Sequence, residues 1–122
     1  MRRDMDLVRK ILLDMERKSF EELGAEIHIP GYSQLDIHHH LKLMTQAGLI
    51  EAANISANND EYFIPTDITW YGHDFMDAAR DDTRWNKAKS VAGKVGGVAF
   101  DILREILKEL AEVAIKTQMG LP

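Results

Sequence analysis

The sequence predicts a mainly α-helical chain with one small β-hairpin, an α+β arrangement, on three observations. Apolar residues recur at three- and four-residue spacing in several separate stretches. Capping residues stand at the starts of those stretches. Two short runs that suit strands flank an asparagine-rich polar tip.

Asp4 can cap a first helix in which Val8, Ile11, Leu12 and Met15 share one face, while Arg9, Lys10, Asp14 and Arg17 lie elsewhere. This helix is expected to run to about Lys18. Residues 20–32 are poorer in helix signals; residues 25–29 alternate like a short strand until Pro30 and Gly31 break it. Ser33-Gln34-Leu35-Asp36 then reads as a capping box, with Asp in place of the preferred Glu, and opens the helix Ser33 to Ala47. At 100° per residue, Ile37, His40, Leu41, Met44 and Ala47 fall on a core side. Leu35, His38, His39, Lys42, Thr45 and Gln46 fall on the other. Gly48 is the natural left-handed residue after its last turn.

Residues 49–55 and 61–68 flank the tip Ser56-Ala57-Asn58-Asn59-Asp60 and form the predicted antiparallel hairpin, with Pro65 implying an edge or a bulge. Thr69 caps a further helix whose Gly72, Phe75, Met76 and Ala79 share a packing face. Residues 81–92 read as its continuation or as a second short helix carrying Trp85, and Gly93, Gly96 and Gly97 mark a hinge or loop. A broad apolar stripe follows from Ile102 to Ala114, with Arg104, Glu105, Lys108, Glu109 and Glu112 facing away, until Gly120 and Pro122 stop the helix.

Composition narrows the class. A chain of 122 residues that is 45% hydrophobic supports one modest core, and a second independent one is not expected. With no cysteine there is neither a disulfide staple nor a thiolate zinc site, which suits a reducing compartment. The first residues lead into an amphipathic pattern, and no apolar run approaches the roughly 20 residues of a spanning helix, so a soluble cytoplasmic protein without membrane contact is expected. The net charge of −5 is unevenly spread. Residues 49–79 hold six acids and no lysine or arginine, whereas residues 80–94 hold five bases against Asp81 and Asp82. The net value therefore decides little about any one surface.

A capped helix ending in Ala47-Gly48-Leu49-Ile50, then a hairpin, then Thr69 and Gly72 opening another helix, is the order of a winged helix-turn-helix domain. It is expected over residues 1–80, with a helical extension over 81–122 that packs on it or dimerises, in a single compact unit. One departure from the general plan is that the segment before Ser33 has no well-signalled second helix, so the motif is abbreviated or replaced by an extended piece around Ile27. The segment 1–12, the block His39-His40-Leu41-Lys42-Leu43 leading to Ala47-Gly48-Leu49-Ile50-Glu51, and the long block 68–87 beginning Ile68-Thr69-Trp70-Tyr71-Gly72-His73 resemble the domain of unknown function 2513 family. The resemblance covers nearly the whole chain. It implies a winged-helix fold, an association with phages and prophages in a bacterial host, and no established activity.

The candidate nucleic-acid-binding residues are Gln34, His38, His39, Lys42, Thr45 and Gln46. Glutamine can bond adenine bidentately, lysine can reach guanine or phosphate, and histidine can donate to either. Against this stands the wing, which supplies no cation and carries Glu51, Asp60 and Glu61. Phosphate contacts would then fall to Arg2, Arg3, Arg9 and Lys10 or to the basic stretch from Arg84 to Lys94. His38, His39 and His40 point about 100° apart and cannot converge on one ion, so no metal or cofactor is expected. A titrating His38 or His39 can make binding pH-sensitive, whereas His40 belongs at the core edge.

His73, Asp77 and Asp81, four apart, stack on one helix flank but lack a nucleophile or phosphate-cradling loop, and no enzyme is expected. Trp70 and Trp85 are read as packing anchors, Trp85 docking the C-terminal extension. Ile102, Leu103, Ile106, Leu107, Leu110 and Val113 form the candidate partner or dimer interface. Two readings stand. One is a DNA-binding transcriptional regulator, expected as a homodimer on double-stranded DNA reading half-sites. The other is a protein-interaction module that engages a host protein through its acidic wing and C-terminal helix.

Overall fold

The computed structural model describes residues 2–18, 22, 26–55, 57, 58, 60, 62–94 and 100–120, the side chains of residues 93 and 94 excepted. It is mainly helical with a two-stranded antiparallel sheet, in the order α1 (Met5–Arg17), α2 (Gln34–Gln46), β1 (Ile50–Asn54), β2 (Phe63–Ile68), α3 (Trp70–Ala79), α4 (Asp82–Lys94) and α5 (Phe100–Gln118). Two compact units divide it, Met1–Met76 and Asp77–Pro122, with the boundary inside α3. No helix among the described residues is long and apolar enough to cross a membrane.

In the first unit, Asp4 caps α1 by accepting from the backbone N–H groups of Asp6 and Leu7 at 2.9 and 3.2 Å. Caps of this kind stabilise a helix by about 1 kcal/mol. The expected face is buried and is widened by Met5 and Leu7. No strand forms at residues 26–29, contrary to the alternation read there. The alternation reports burial without pairing: Ile27 and Ile29 are inside, Glu26 and His28 outside. Residue 25 lies outside the described residues.

Ser33 caps α2, its Oγ accepting from the Asp36 N–H at 3.1 Å and donating to Asp36 Oδ2 at 3.2 Å. The acid thus meets the serine hydroxyl. At the other end, Gly48 adopts φ +78°, the Leu49 N–H donates to Met44 O at 2.9 Å, and the Gly48 N–H donates to Thr45 O at 3.1 Å. These two bonds are a Schellman closure, with buried Leu49 and Met44 as its apolar pair.

Pairing runs from Ile50 with Ile68 and Glu51 with Asp67 to Ala52 with Pro65 and Asn54 with Phe63. The register slips between Glu51 and Ala52, which leaves Thr66 as the extra residue beside Pro65. Both options read from that proline hold, because each strand of a two-stranded sheet is also an edge. At the tip, Ala57 and Asp60 exchange two backbone hydrogen bonds and Asn58 takes φ +53°. Ser56 and Asn59 lie outside the described residues.

The junction into α3 is tight. Thr69 donates its N–H to Leu49 O at 3.1 Å, points its hydroxyl at Gly48 O and Leu49 O, and accepts from the Gly72 N–H at 3.0 Å. A Cβ on Gly72 would stand 2.9 Å from Ile68 Cγ2, 3.0 Å from the Leu49 carbonyl carbon and closer still to its oxygen. The missing side chain is what lets the helix start lie on the strand start.

In the second unit, α4 is a separate helix rather than a continuation of α3, because Asp81 caps it through the Arg84 N–H at 2.8 Å. α4 packs along α5. Trp85, Ala88 and Ala92 are buried on α4, and Leu103 and Leu107 on α5. Of the expected glycine hinge, Gly93 still lies within α4, whereas Gly96 and Gly97, like Pro122, lie outside the described residues.

Candidate functional site

The site is built on α2, which is held from two sides by histidines. His40 is buried, and its Nε2 accepts from the Asp4 N–H at 2.8 Å while its Nδ1 lies 2.8 Å from Asp36 O. A carbonyl can only accept, so Nδ1 carries the proton and the ring is the neutral tautomer that bridges the starts of α1 and α2. Tyr32 adds to this tie by donating to Asp4 Oδ2 at 3.0 Å. Burial first, then that hydrogen bond and the nearby charges of Asp4, Asp6 and Asp36, push the Tyr32 phenol up to about 12.

His38 faces the hairpin. Its Nδ1 accepts a long 3.4 Å bond from the Phe63 N–H, and its ring lies 4.3 Å from that of Tyr62, centroid to centroid. At 8% exposure it is not on an outward face. The expected position of His38 is therefore corrected: the hairpin folds back over that flank of α2. Ala47, assigned to the core side, is exposed, because α2 ends at Gln46 and the chain turns at Gly48.

What remains outward is a narrower ridge. Leu35, His39, Lys42 and Gln46 follow one another at steps of four, three and four residues, which places them in one row about 16 Å long on the helix surface. Leu35 is 68% exposed, Gln46 is exposed, and His39 and Lys42 are half-buried. Gln34 and Thr45 flank the row but are engaged locally. Gln34 Nε2 donates to Ile27 O at 2.9 Å and lies 3.0 Å from His28 Nδ1, and the Thr45 hydroxyl donates to Leu41 O at 2.8 Å. Leu35 belongs to this row by its spacing, and brings an apolar side chain where the other three bring polar ones.

Exposed charges are unevenly divided among the elements of the first unit. The hairpin exposes Glu51, Asp60 and Asp67, and Glu61 lies outside the described residues. On α1, Arg2 and Arg3 before it and Lys10 and Arg17 along it are exposed, with Arg9 half-buried. No group of three histidines, cysteines or acids that could hold a metal occurs among the described residues.

Other sequence expectations change. His73 and Asp77, four apart, share a flank of α3, but Asp81 does not join them, because α3 ends at Ala79; Asp77 pairs with Arg80 at 3.0 Å and Asp81 serves α4. Trp85 is buried, as a packing anchor should be, but Trp70 is 85% exposed at the first position of α3. On α5 the apolar stripe divides. Leu103 and Leu107 are fully buried, Ile106 and Leu110 half-buried, and Ile102 and Val113 exposed at 45% and 61%.

Comparison with known proteins adds a family. A family model described as hypothetical protein (DUF2513) matches residues 2–99, a span that takes in α1 to α4 and stops before α5. An uncharacterized protein of Haemophilus influenzae is 33% identical over 122 residues, covering 98% of this chain and 100% of its own length. No solved structure matches. With both the model and the relative spanning most of its length, the chain belongs to the DUF2513 family.

Proposed function

We propose that this protein is a winged-helix DNA-binding factor of the transcriptional-regulator type that lays α2 in the major groove. The observation that carries the reading is the row Leu35, His39, Lys42 and Gln46, outward on a helix braced from behind and followed directly by a hairpin. A row about 16 Å long matches roughly five base-pair steps of 3.4 Å. Lys42 and Gln46 supply guanine- and adenine-reading chemistry, His39 a further donor, and Leu35 an apolar contact for a thymine methyl. Gln34 and Thr45 support the row from its flanks, and His38 acts as an internal strut.

The test is retention of a random-sequence duplex at low salt in a mobility-shift assay. Lys42→Ala with Gln46→Ala is expected to weaken that retention and, through the lost Lys42 charge, to lower the slope of log K against log salt by about 0.9. Unchanged binding removes α2 from the mechanism.

A second reading, a protein-interaction module, is favoured by exposed Ile102 and Val113 on α5 together with the acidic hairpin. Its simplest occupant is a second copy of the chain, which also suits half-site recognition. Sedimentation of the Ile102→Glu, Val113→Glu variant tests it: a dimer that becomes a folded monomer supports the contact, and an unchanged mass excludes it.

A further inference from the structure

We propose that the groove between α1 and residues 28–30 is the site for the sugar-phosphate backbone of duplex DNA, with Lys10 and Arg17 as its phosphate contacts. This rests on the reading of α2 as the groove-entering helix. The cavity measures about 510 Å³, and Leu13, Ile29 and Pro30 are apolar residues of its lining. Lys10 and Arg17 line it seven residues apart, hence on one face of α1 and about 10 Å along its axis. That is close to three base-pair rises of about 3.4 Å.

The carboxylate between them does not cancel the site. Asp14 binds Arg17 through Oδ1 at 2.5 Å and Lys18 through Oδ2 at 2.9 Å. The Asp14 and Lys18 side chains are only 11% and 13% exposed, whereas that of Arg17 is 72% exposed. Lys18 offsets the acid from within, so the outward guanidinium keeps an unbalanced charge while Asp14 fixes its position. Lys10 is steadied in turn by the Tyr32 ring, 5.4 Å from its Nζ. Glu26 lies 3.8 Å from Nε2 of His28, which lines the groove.

The groove is joined to the ridge of α2. His28 lines it and touches Gln34, the first residue of α2, at 3.0 Å. A backbone strand lying over Lys10 and Arg17 would therefore pass the N-terminal end of the row that starts at Leu35. This supplies the phosphate contacts that the hairpin cannot make with Glu51, Asp60 and Asp67.

The experiment measures the affinity of the full chain for a random-sequence duplex across a salt series. Each phosphate contact contributes about 0.9 to the slope of log K against log salt, so Lys10→Ala with Arg17→Ala should flatten the slope by about 1.8. Lys87→Ala with Lys108→Ala, two exposed cations of the second unit, should leave it unchanged. If the alanine pair lowers the melting temperature, Lys10→Gln with Arg17→Gln takes its place. An unaltered slope in the groove variant, with binding still dependent on Lys42 and Gln46, overturns the groove and spares α2. An equal fall in the second-unit control overturns it as well, and a wild-type chain that retains no duplex at low salt removes both readings.

Discussion

Replacing Gly72 by alanine sets two effects against each other. In an ordinary helix the change stabilises by about 1 kcal/mol, since glycine is the poorer helix former. Here the new Cβ would come within 2.9 Å of Ile68 Cγ2 and 3.0 Å of the Leu49 carbonyl carbon, with the carbonyl oxygen nearer still. Two of these atoms are backbone and cannot swing aside, so the first turn of α3 must lift from the start of β1. That carbonyl also accepts from the Thr69 N–H at 3.1 Å and the Thr69 hydroxyl at 3.0 Å, so the lift strains two hydrogen bonds of about 1 kcal/mol each. Overpacking adds about 1–3 kcal/mol. Net of the propensity gain, Gly72→Ala should destabilise by about 2–4 kcal/mol, read from the urea midpoint at constant m-value. Gly48→Ala is the control: φ is +78° but no atom lies within 4 Å of the new Cβ, so its cost is the left-handed backbone alone, about 1–2 kcal/mol. A Gly72→Ala chain as stable as wild type, or more stable than Gly48→Ala, would refute the packing account.

Three further outcomes follow from burial and proton binding. Because the folded chain holds the Tyr32 proton up to about 12 against an ordinary 10, stability is fully present below pH 10 and falls as pH rises from there towards 12. Tyr32→Phe should flatten that fall in urea midpoints measured from neutral to strongly alkaline pH. Leu107→Ala, at a fully buried position, should cost about 2–5 kcal/mol, whereas Val113→Ala at 61% exposure should stay within about 0.5 kcal/mol, both by thermal melting. Of the two tryptophans, Trp70 should be quenched by acrylamide and Trp85 protected, compared through Trp70→Phe and Trp85→Phe; equal quenching contradicts their burial at 85% and 2% exposure.

Local signals carried most of the fold. The caps Asp4, Ser33 and Thr69, the Gly48 closure and the Pro65 bulge each depend on neighbours within a few residues, so they are readable from sequence. The failures share a cause. Residues 26–29 alternate in burial but pair with no strand among the described residues, and His38 is polar by type yet covered by Tyr62 and Phe63, 24 and 25 residues away. Helical spacing fixes which residues share a face; which face a hairpin then covers is decided by tertiary packing. The exposed Trp70 makes the same point in reverse: a large apolar side chain at the first position of a helix has no partner that sequence proximity could supply.

The candidate site was legible in part for this same reason. Spacing alone picks out Leu35, His39, Lys42 and Gln46, but it cannot say that Lys10 and Arg17 stand across a groove from His28, or that His28 in turn touches Gln34. That contact changes how the acid-rich hairpin would bear on the proposed binding of DNA. In sequence, a wing without cations counts against a winged-helix reader, because the phosphate term dominates affinity. In three dimensions Lys10 and Arg17 line a groove together with His28, and the hairpin holds His38 from the inner side. Glu51 and Asp67, exposed on the hairpin, would repel phosphates on that side and so restrict the orientations in which α2 can enter a groove. Repulsion from the hairpin and attraction at α1 would then select the same orientation, so removing Glu51 and Asp67 should raise nonspecific retention of DNA while lowering discrimination between sequences.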